Sequence, residues 1–273
     1  MSNEKDSLGD RMKRYEGVSH TYLVRRMPVI IRIDGKAFHT FTKGFQKPFD
    51  MILMQSMWDT CKYLCAHIQG CKMAYTQSDE ISLLLTDYET LTTDAWFENN
   101  VQKMVSVSAS MATLAFNKAF SSNVWTYQGT GMADDCNTVI DENIEKQCGV
   151  YMKRMDIGAM FDSRVFNVPK EEVCNCLIWR QQDASRNSVE MVGRANFSDK
   201  QLFKKNCGMI QDMLFKEKGI NWNDLPTYQK RGACIVKETY TLDNNTNAIR
   251  TRWIVDKDIP IFTTNREYIE KYL

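Results

Sequence analysis

The chain has 273 residues, of which 43% are hydrophobic, 25% charged and 11% aromatic. These proportions exclude wholesale disorder and suit one large domain, or one domain with a substantial extension, at roughly 100–200 residues per domain. Its 35 Lys and Arg against 34 Asp and Glu leave a net charge of +1, so no bulk field draws a polyanion, although a basic groove offset by acidic surface elsewhere fits the same sum.

Residues 1–27 are polar and charged, with a helical start and no apolar leader core, and they end at Pro28. Val29-Ile30-Ile31-Arg32-Ile33 follows, β-branched as in a buried strand, and stops at the turn dipeptide Asp34-Gly35. Residues 50–68 set Ile52, Leu53, Met57, Cys61, Leu64 and Ile68 at helical spacing, between a capping Asp50 and Gly70. Two short apolar segments, 72–76 and 81–85, surround the polar tetrad Gln77-Ser78-Asp79-Glu80 and predict a β-hairpin. A helix is predicted over 96–120, a loop or small insertion over 121–150, and a strand over 159–166. Helices follow over 170–192 and 198–217, then a terminal hairpin over 231–256 around Asp243-Asn244-Asn245.

The order is β-α-β-β-α-β, the ferredoxin-type motif of an α+β protein, with an antiparallel sheet and helices on one face. Residues 1–170 form that unit, and 171–273 are expected as a helical and hairpin extension packed on it in a single compact chain. No run of about 18 apolar residues is present, so no membrane span is expected. The nine cysteines are odd in number and lack a C-x₂-C pair. They read as reduced apolar side chains in a cytoplasmic protein, not as zinc ligands.

The ferredoxin topology sets the end of the first strand beside the turn of the central hairpin. Asp34 and Asp79, 45 positions apart, would then meet. Two carboxylates are a minimal scaffold for Mg²⁺, which completes its octahedron with phosphate and water oxygens. Gly35, with no side chain, lets the backbone come close to metal or phosphate. Taken singly, Asp34-Gly35 and Ser78-Asp79-Glu80 are also ordinary turns, and only the pairing favours a metal site. Phe38 has two readings, a ring stacked on a base or, with Phe41 at i+3, a core residue; His39 is placed to donate to phosphate or ribose. Lys36, Lys43 and Lys47 offer charge to a triphosphate. Neither a P-loop nor a dinucleotide-binding glycine motif is present.

The segments Arg32-Ile-Asp-Gly-Lys-Ala-Phe-His-Thr-Phe41, Lys47-Pro-Phe-Asp50, Tyr75-Thr-Gln-Ser-Asp-Glu80, Phe161-Asp-Ser-Arg-Val165 and Trp179-Arg-Gln-Gln-Asp183, in this order, resemble the tRNA-histidine guanylyltransferase superfamily over roughly residues 10–235. The resemblance implies a palm-like catalytic domain that adds nucleotides to the 5′ end of tRNA in the 3′→5′ direction, with GTP or ATP and other nucleoside triphosphates as substrates. It implies two Mg²⁺ held by Asp34, the Gly35 carbonyl and Asp79, with Glu80 in support. Nucleotide contacts are implied for Asp34, Gly35, Lys36, Ala37, Phe38, His39, Ser78 and Asp79. Lys47 and Asp50 are implied near a second triphosphate, and a homotetramer is expected. Where eukaryotic members carry His-Ile-Asn-Asn, this chain has Ser185-Arg186-Asn187-Ser188, like the 3′→5′ polymerase branch that repairs 5′-truncated tRNA; single addition of a 5′ G is the alternative. Arg164, Arg180, Arg186 and Arg194 are candidates for tRNA phosphates or simply solvated. The rival readings are a nucleotide cyclase and a catalytically silent RNA-binding module.

Overall fold

The computed structural model describes residues 7–130, 142–241 and 249–273. After a short helix α1 (Leu8–Gly17), strand β1 (Val29–Gly35) enters the core, with Ile30, Ile31 and Ile33 almost completely buried. A single turn α2 (Phe38–Phe41) and helix α3 (Met51–His67) follow; Asp50 caps α3 by accepting from the Leu53 amide at 2.9 Å. Gly70 then turns the chain into β2 (Cys71–Gln77). It sits at φ +77, and a Cβ there would meet the Thr86 carbonyl oxygen at 2.6 Å. Ser78 and Asp79 alone join β2 to β3 (Glu80–Leu85).

Helix α4 (Val101–Thr130) outruns its expected end, because Phe116, Phe120 and Val124 continue one buried face at i, i+4 and i+8. Helix α5 (Glu142–Ile157) occupies much of the remaining stretch expected as a loop; residues 131–141 lie outside the described residues. Strand β4 (Phe161–Asn167) and the long α6 (Lys170–Asn196) come next. The helix expected over 198–217 is broken into α7 (Asp199–Leu202) and α8 (Cys207–Lys218). Lys204 takes a positive φ between them, and Asn206 restarts the helix by accepting from the Met209 amide at 3.0 Å. A short α9 (Thr227–Arg231) leads to β5 (Ala233–Thr241), which pairs with β6 (Ile249–Asp256) before α10 (Glu267–Glu270). The predicted turn at Asp243-Asn244-Asn245 falls outside the described residues.

Among the described residues six strands form one antiparallel sheet in the order β4-β1-β3-β2-β5-β6. The first four strands keep the ferredoxin order, and the terminal hairpin extends the sheet at the edge of β2. Helices α3 and α4 cover one face. Their core is aromatic: Phe38, Phe41, Phe45, Phe116, Phe120, Phe161 and Tyr151 pack with ring centroids 5.0–6.0 Å apart. The extension covers the opposite face, where Val173, Cys174 and Leu177 of α6 meet Ile30, Met73 and Leu84. The second half of α6 packs on α8 through Val189, Val192, Ile210 and Leu214. The eight cysteines in the described residues are free thiols, six of them buried. No helix of the described residues is long and apolar enough to cross a membrane.

Candidate active site

Strand alternation sorts β1 into two sets. Val29, Ile31 and Ile33 enter the aromatic core, which leaves Ile30, Arg32 and Asp34 on the α6 side. Asp34 stands in register with Glu80 of β3 on one flank and Asp162 of β4 on the other. Opposed residues share a face with Cβ atoms roughly 4.5–5.5 Å apart, so three carboxylates form a row across β4, β1 and β3. Asp79 sits in the turn that begins β3, one residue from that row.

Asp34 and Asp79 thus come to one end of the sheet. Burial raises the Asp79 carboxyl above its ordinary value, hydrogen bonds from Ser78 and its own backbone pull it back, and the Asp34 charge raises it further. The Ser78 hydroxyl donates to Asp79 Oδ1 at 2.8 Å, and Ser78 holds φ 50 to close the tight turn. A half-buried aspartate near a second carboxylate is an arrangement that a cation relieves.

The outer members of the row have basic partners. Asp162 accepts from Arg164 at 2.9 Å. Glu80 is buried, and its two oxygens take the Arg180 fork, Nε at 2.6 Å and an Nη at 2.7 Å. Burial lifts the Glu80 carboxyl, and Arg180 and then Arg32 draw it down. Arg180 also reaches Asp183 at 2.9 Å, and Asp183 is paired with Arg186. Accordingly, no three His, Cys, Asp or Glu side chains among the described residues converge as a metal cage. A two-aspartate, oxygen-only set remains, which fits Mg²⁺ and the several substrate and water oxygens it retains.

The structure revises several expectations. Packing adds its own requirement for Gly35: a Cβ there would lie 2.2 Å from the Phe38 ring. That ring is buried against Phe41, Phe116 and Phe161, so it is core and is unavailable to stack on a base. The Lys36 amide is spent on the Met160 carbonyl at 2.8 Å. The side chains of Lys36 and His39 are exposed, as is Ala37, which takes a left-handed conformation at φ 54. Lys47 is exposed too. Asp50 is buried and its oxygens are engaged within the protein, although it borders the cleft beside Ser78: Oδ1 accepts from the Leu53 amide, and Oδ2 accepts from the Gln46 amide at 2.9 Å and the Tyr151 hydroxyl at 2.6 Å. Glu80 is engaged as well, because Arg180 donates to both of its oxygens. Arg180, a candidate for RNA phosphate, is instead the buried partner of Glu80, and Arg194 pairs along its own helix with Glu190 at 3.5 Å.

Sequence reasoning missed the tether behind the lysine loop. Gln147, Tyr151 and Arg154, at i, i+4 and i+7 on α5, all face residues 42–50. Gln147 donates to the Gly44 carbonyl at 3.2 Å, Tyr151 to Asp50, and Arg154 to the Lys43 carbonyl at 3.1 Å. Their helical spacing was a signal, hidden inside a stretch rich in Gly, Asn and Asp. A narrow cleft lined by Leu53, Gln77, Ser78, Asn187 and Tyr228 opens beside the Ser78–Asp79 turn.

Comparison with known proteins finds relatives over most of the chain. A family model described as "Thg1: tRNAHis guanylyltransferase" matches residues 9–169. A solved bacterial tRNA(His) guanylyltransferase (Thg1)-like protein in complex with ATP superposes with a TM-score of 0.79 at 48% identity, covering 97% of this chain and 98% of that one. A bacterial protein of the same description in complex with GTP superposes with a TM-score of 0.74 at 46% identity, covering 98% and 99%. The tRNA(His) guanylyltransferase of Debaryomyces hansenii is 28% identical over 260 residues, 90% of this chain and 86% of that protein.

Proposed function

The chain belongs to the tRNA(His) guanylyltransferase family, and from that premise we propose that it is a Mg²⁺-dependent 3′→5′ nucleotidyltransferase acting on the 5′ end of tRNA in the cytoplasm. Its main reaction in this reading is template-dependent repair of 5′-truncated tRNA; addition of a single 5′ G is the alternative. Ser185-Arg186-Asn187-Ser188, in place of the eukaryotic His-Ile-Asn-Asn, favours repair. The observation that carries the reading is the meeting of Asp34 and Asp79 at the end of β1, where burial and the Asp34 charge raise the Asp79 carboxyl and make the pair suited to a hard cation. The ATP and GTP bound to the two bacterial proteins support nucleoside triphosphates as the substrate class.

Asp34 and Asp79, with the Gly35 carbonyl, would hold two Mg²⁺ ions. Bound there, the ions would supply neutralisation of triphosphate charge and a lowered pKa for the attacking hydroxyl. The protein's part is positional. The Arg180–Glu80 pair fixes the start of β3, and with it the turn that carries Asp79. The α5 tether holds the loop bearing Lys43 and Lys47 where those side chains can meet a triphosphate. The exposed Lys36 and His39 border the same end of the sheet. Chemistry runs in two displacements. The tRNA 5′-monophosphate attacks the α-phosphate of ATP or GTP and expels pyrophosphate. The 3′-hydroxyl of the incoming nucleotide then attacks the activated 5′ end and expels the nucleoside monophosphate.

The test is incubation with 5′-monophosphorylated tRNA lacking its first nucleotide, Mg²⁺ and each nucleoside triphosphate in turn. The expected product is one nucleotide longer at the 5′ end and complementary to the opposing base. Chelation should abolish it without unfolding the protein. A cyclic nucleotide formed without RNA, or RNA binding with no label transferred, would overturn the assignment.

A further inference from the structure

One residue pair further into the sheet from Asp34, on the same face, stands a basic side chain outside the carboxylate row. Arg32 is half-buried and stands in register with Ser82 of β3 and Arg164 of β4. Its Nε is buried without a hydrogen-bond partner, and the buried Ser82 hydroxyl opposite is equally unpartnered. Among the described residues no carboxylate lies within ion-pair distance of Arg32: Glu80 is held by Arg180, and Asp162 by Arg164. What does touch its guanidinium is the indole of Trp179 on α6, 5.4 Å from guanidinium carbon to ring centroid. The Arg180 guanidinium lies 4.4 Å from the same ring. Trp179 nevertheless leaves 53% of its surface to solvent, although it sits at the edge of a packed face.

A half-buried cation without a counter-ion calls for an anion, and an exposed indole fixed by two guanidinium groups is a ready stacking surface. Arg32 stands two strand residues from Asp34, roughly 7 Å along β1, and the Trp179 ring lies against its guanidinium. We propose that Trp179 and Arg32 form the docking platform for the 5′-terminal nucleotide of the acceptor RNA. The base stacks on the open indole surface and a phosphate takes the Arg32 guanidinium, which brings the 5′ end beside the Asp34–Asp79 pair. This assignment rests on the nucleotidyltransferase reading for the identity of the ligand as RNA. It separates the acceptor from the nucleoside triphosphate, whose lysine-bearing loop belongs to α2 and α3.

The experiment uses the full chain and 5′-monophosphorylated truncated tRNA. Trp179→Ala should weaken tRNA binding on the order of 10- to 100-fold, the loss of one base stack, while ATP affinity stays at the wild-type value. Trp179→Phe should retain most of the affinity. Tryptophan fluorescence should be quenched when tRNA is added to the wild type, and that quenching should vanish in Trp179→Phe, although five other tryptophans remain. Unchanged tRNA affinity in Trp179→Ala would overturn the proposal, and so would a parallel loss of tRNA and ATP binding. If Trp179→Ala instead changes the oligomeric state and leaves tRNA affinity intact, the indole covers a second copy of the chain and the proposal falls. The two readings fail separately. Wild-type protein that binds and quenches but transfers no nucleotide sinks the reaction and leaves the platform. An active wild type with indifferent Trp179 variants sinks the platform alone.

Discussion

The two faces of the sheet are built from the same strands, yet they do opposite things. Toward α3 and α4, every inward residue of β1 and β3 is aliphatic, and seven aromatic rings close over them. Toward α6, the face is apolar only at one end, around Ile30, Met73, Leu84 and Leu177. At the Asp34 end it becomes ionic, with Glu80 and Arg180 buried against each other and Asp79 held beside Asp34. Burying that much charge is unfavourable unless each group is paired and hydrogen-bonded. The aromatic face therefore stabilises the sheet on which the ionic end is carried, and alternation along a strand lets one seven-residue segment serve both purposes.

Substitutions can break this division of labour at different strengths. The largest effect is expected at the ionic end itself. Asp34→Asn and Asp79→Asn should each lower kcat by about 10³-fold or more, the scale of several kcal/mol of lost transition-state charge stabilisation, with the far-UV spectrum unchanged. Asp79→Asn should also raise the melting temperature of the metal-free protein. The fold raises the Asp79 carboxyl above its ordinary 3.8. The stability gained from a protonated Asp79 is therefore full below 3.8 and lost as pH rises through the elevated folded value. At neutral pH the folded chain carries a charge that it disfavours, and the amide removes it. A melting temperature lower than wild type at neutral pH would contradict this.

Next come two variants of similar cost and different consequence. Phe116→Ala empties a site buried among Phe38, Phe120 and Phe161 and should cost about 3–5 kcal/mol in urea unfolding. The folded fraction should still turn over normally. Arg180→Ala strands Glu80 as an unpaired buried carboxylate and should also cost about 3–5 kcal/mol, because both partners are nearly inaccessible. Here kcat of the folded fraction should fall as well, since the turn carrying Asp79 loses its anchor. Equal kcat in the two variants would erase the distinction between the faces. The smallest effect belongs to Tyr151→Phe. It removes one hydrogen bond to a buried carboxylate, about 1.5–3 kcal/mol, and should raise the nucleoside triphosphate KM more than it lowers kcat. An unchanged KM would mean that the α5 tether serves stability alone.

Much of the scaffold was legible in the sequence. The β-branched run at 29–33, the capping Asp50 and the tetrad between two apolar segments each rest on local chemistry, and each falls within a residue or two of its expected place. The ends of α4 and the presence of α5 were not legible. The buried positions Phe116, Phe120 and Val124 run on past 120, but the polar Ser121-Ser122-Asn123 masks them unless the face they complete is known. Of the site, the pairing of Asp34 with the hairpin turn could be read from topology. The fates of Phe38, Asp50 and Glu80 could not, because each depends on partners far away in sequence: Phe161, Tyr151 and Arg180.

What the amino-acid order settled by itself is the alternation of strands and helices, and with it which two aspartates must approach one another, because periodicity and turn chemistry act over a few residues. Only the tertiary structure decided which carboxylates remain open and which are consumed. Asp34 and Asp79 lack a basic partner at ion-pair distance among the described residues, whereas Glu80, Asp162 and Asp50 are engaged by Arg180, Arg164 and Tyr151. For Glu80 and Asp50 that choice turns on hydrogen bonds and burial across 100 and 101 positions in the chain, which no local pattern encodes.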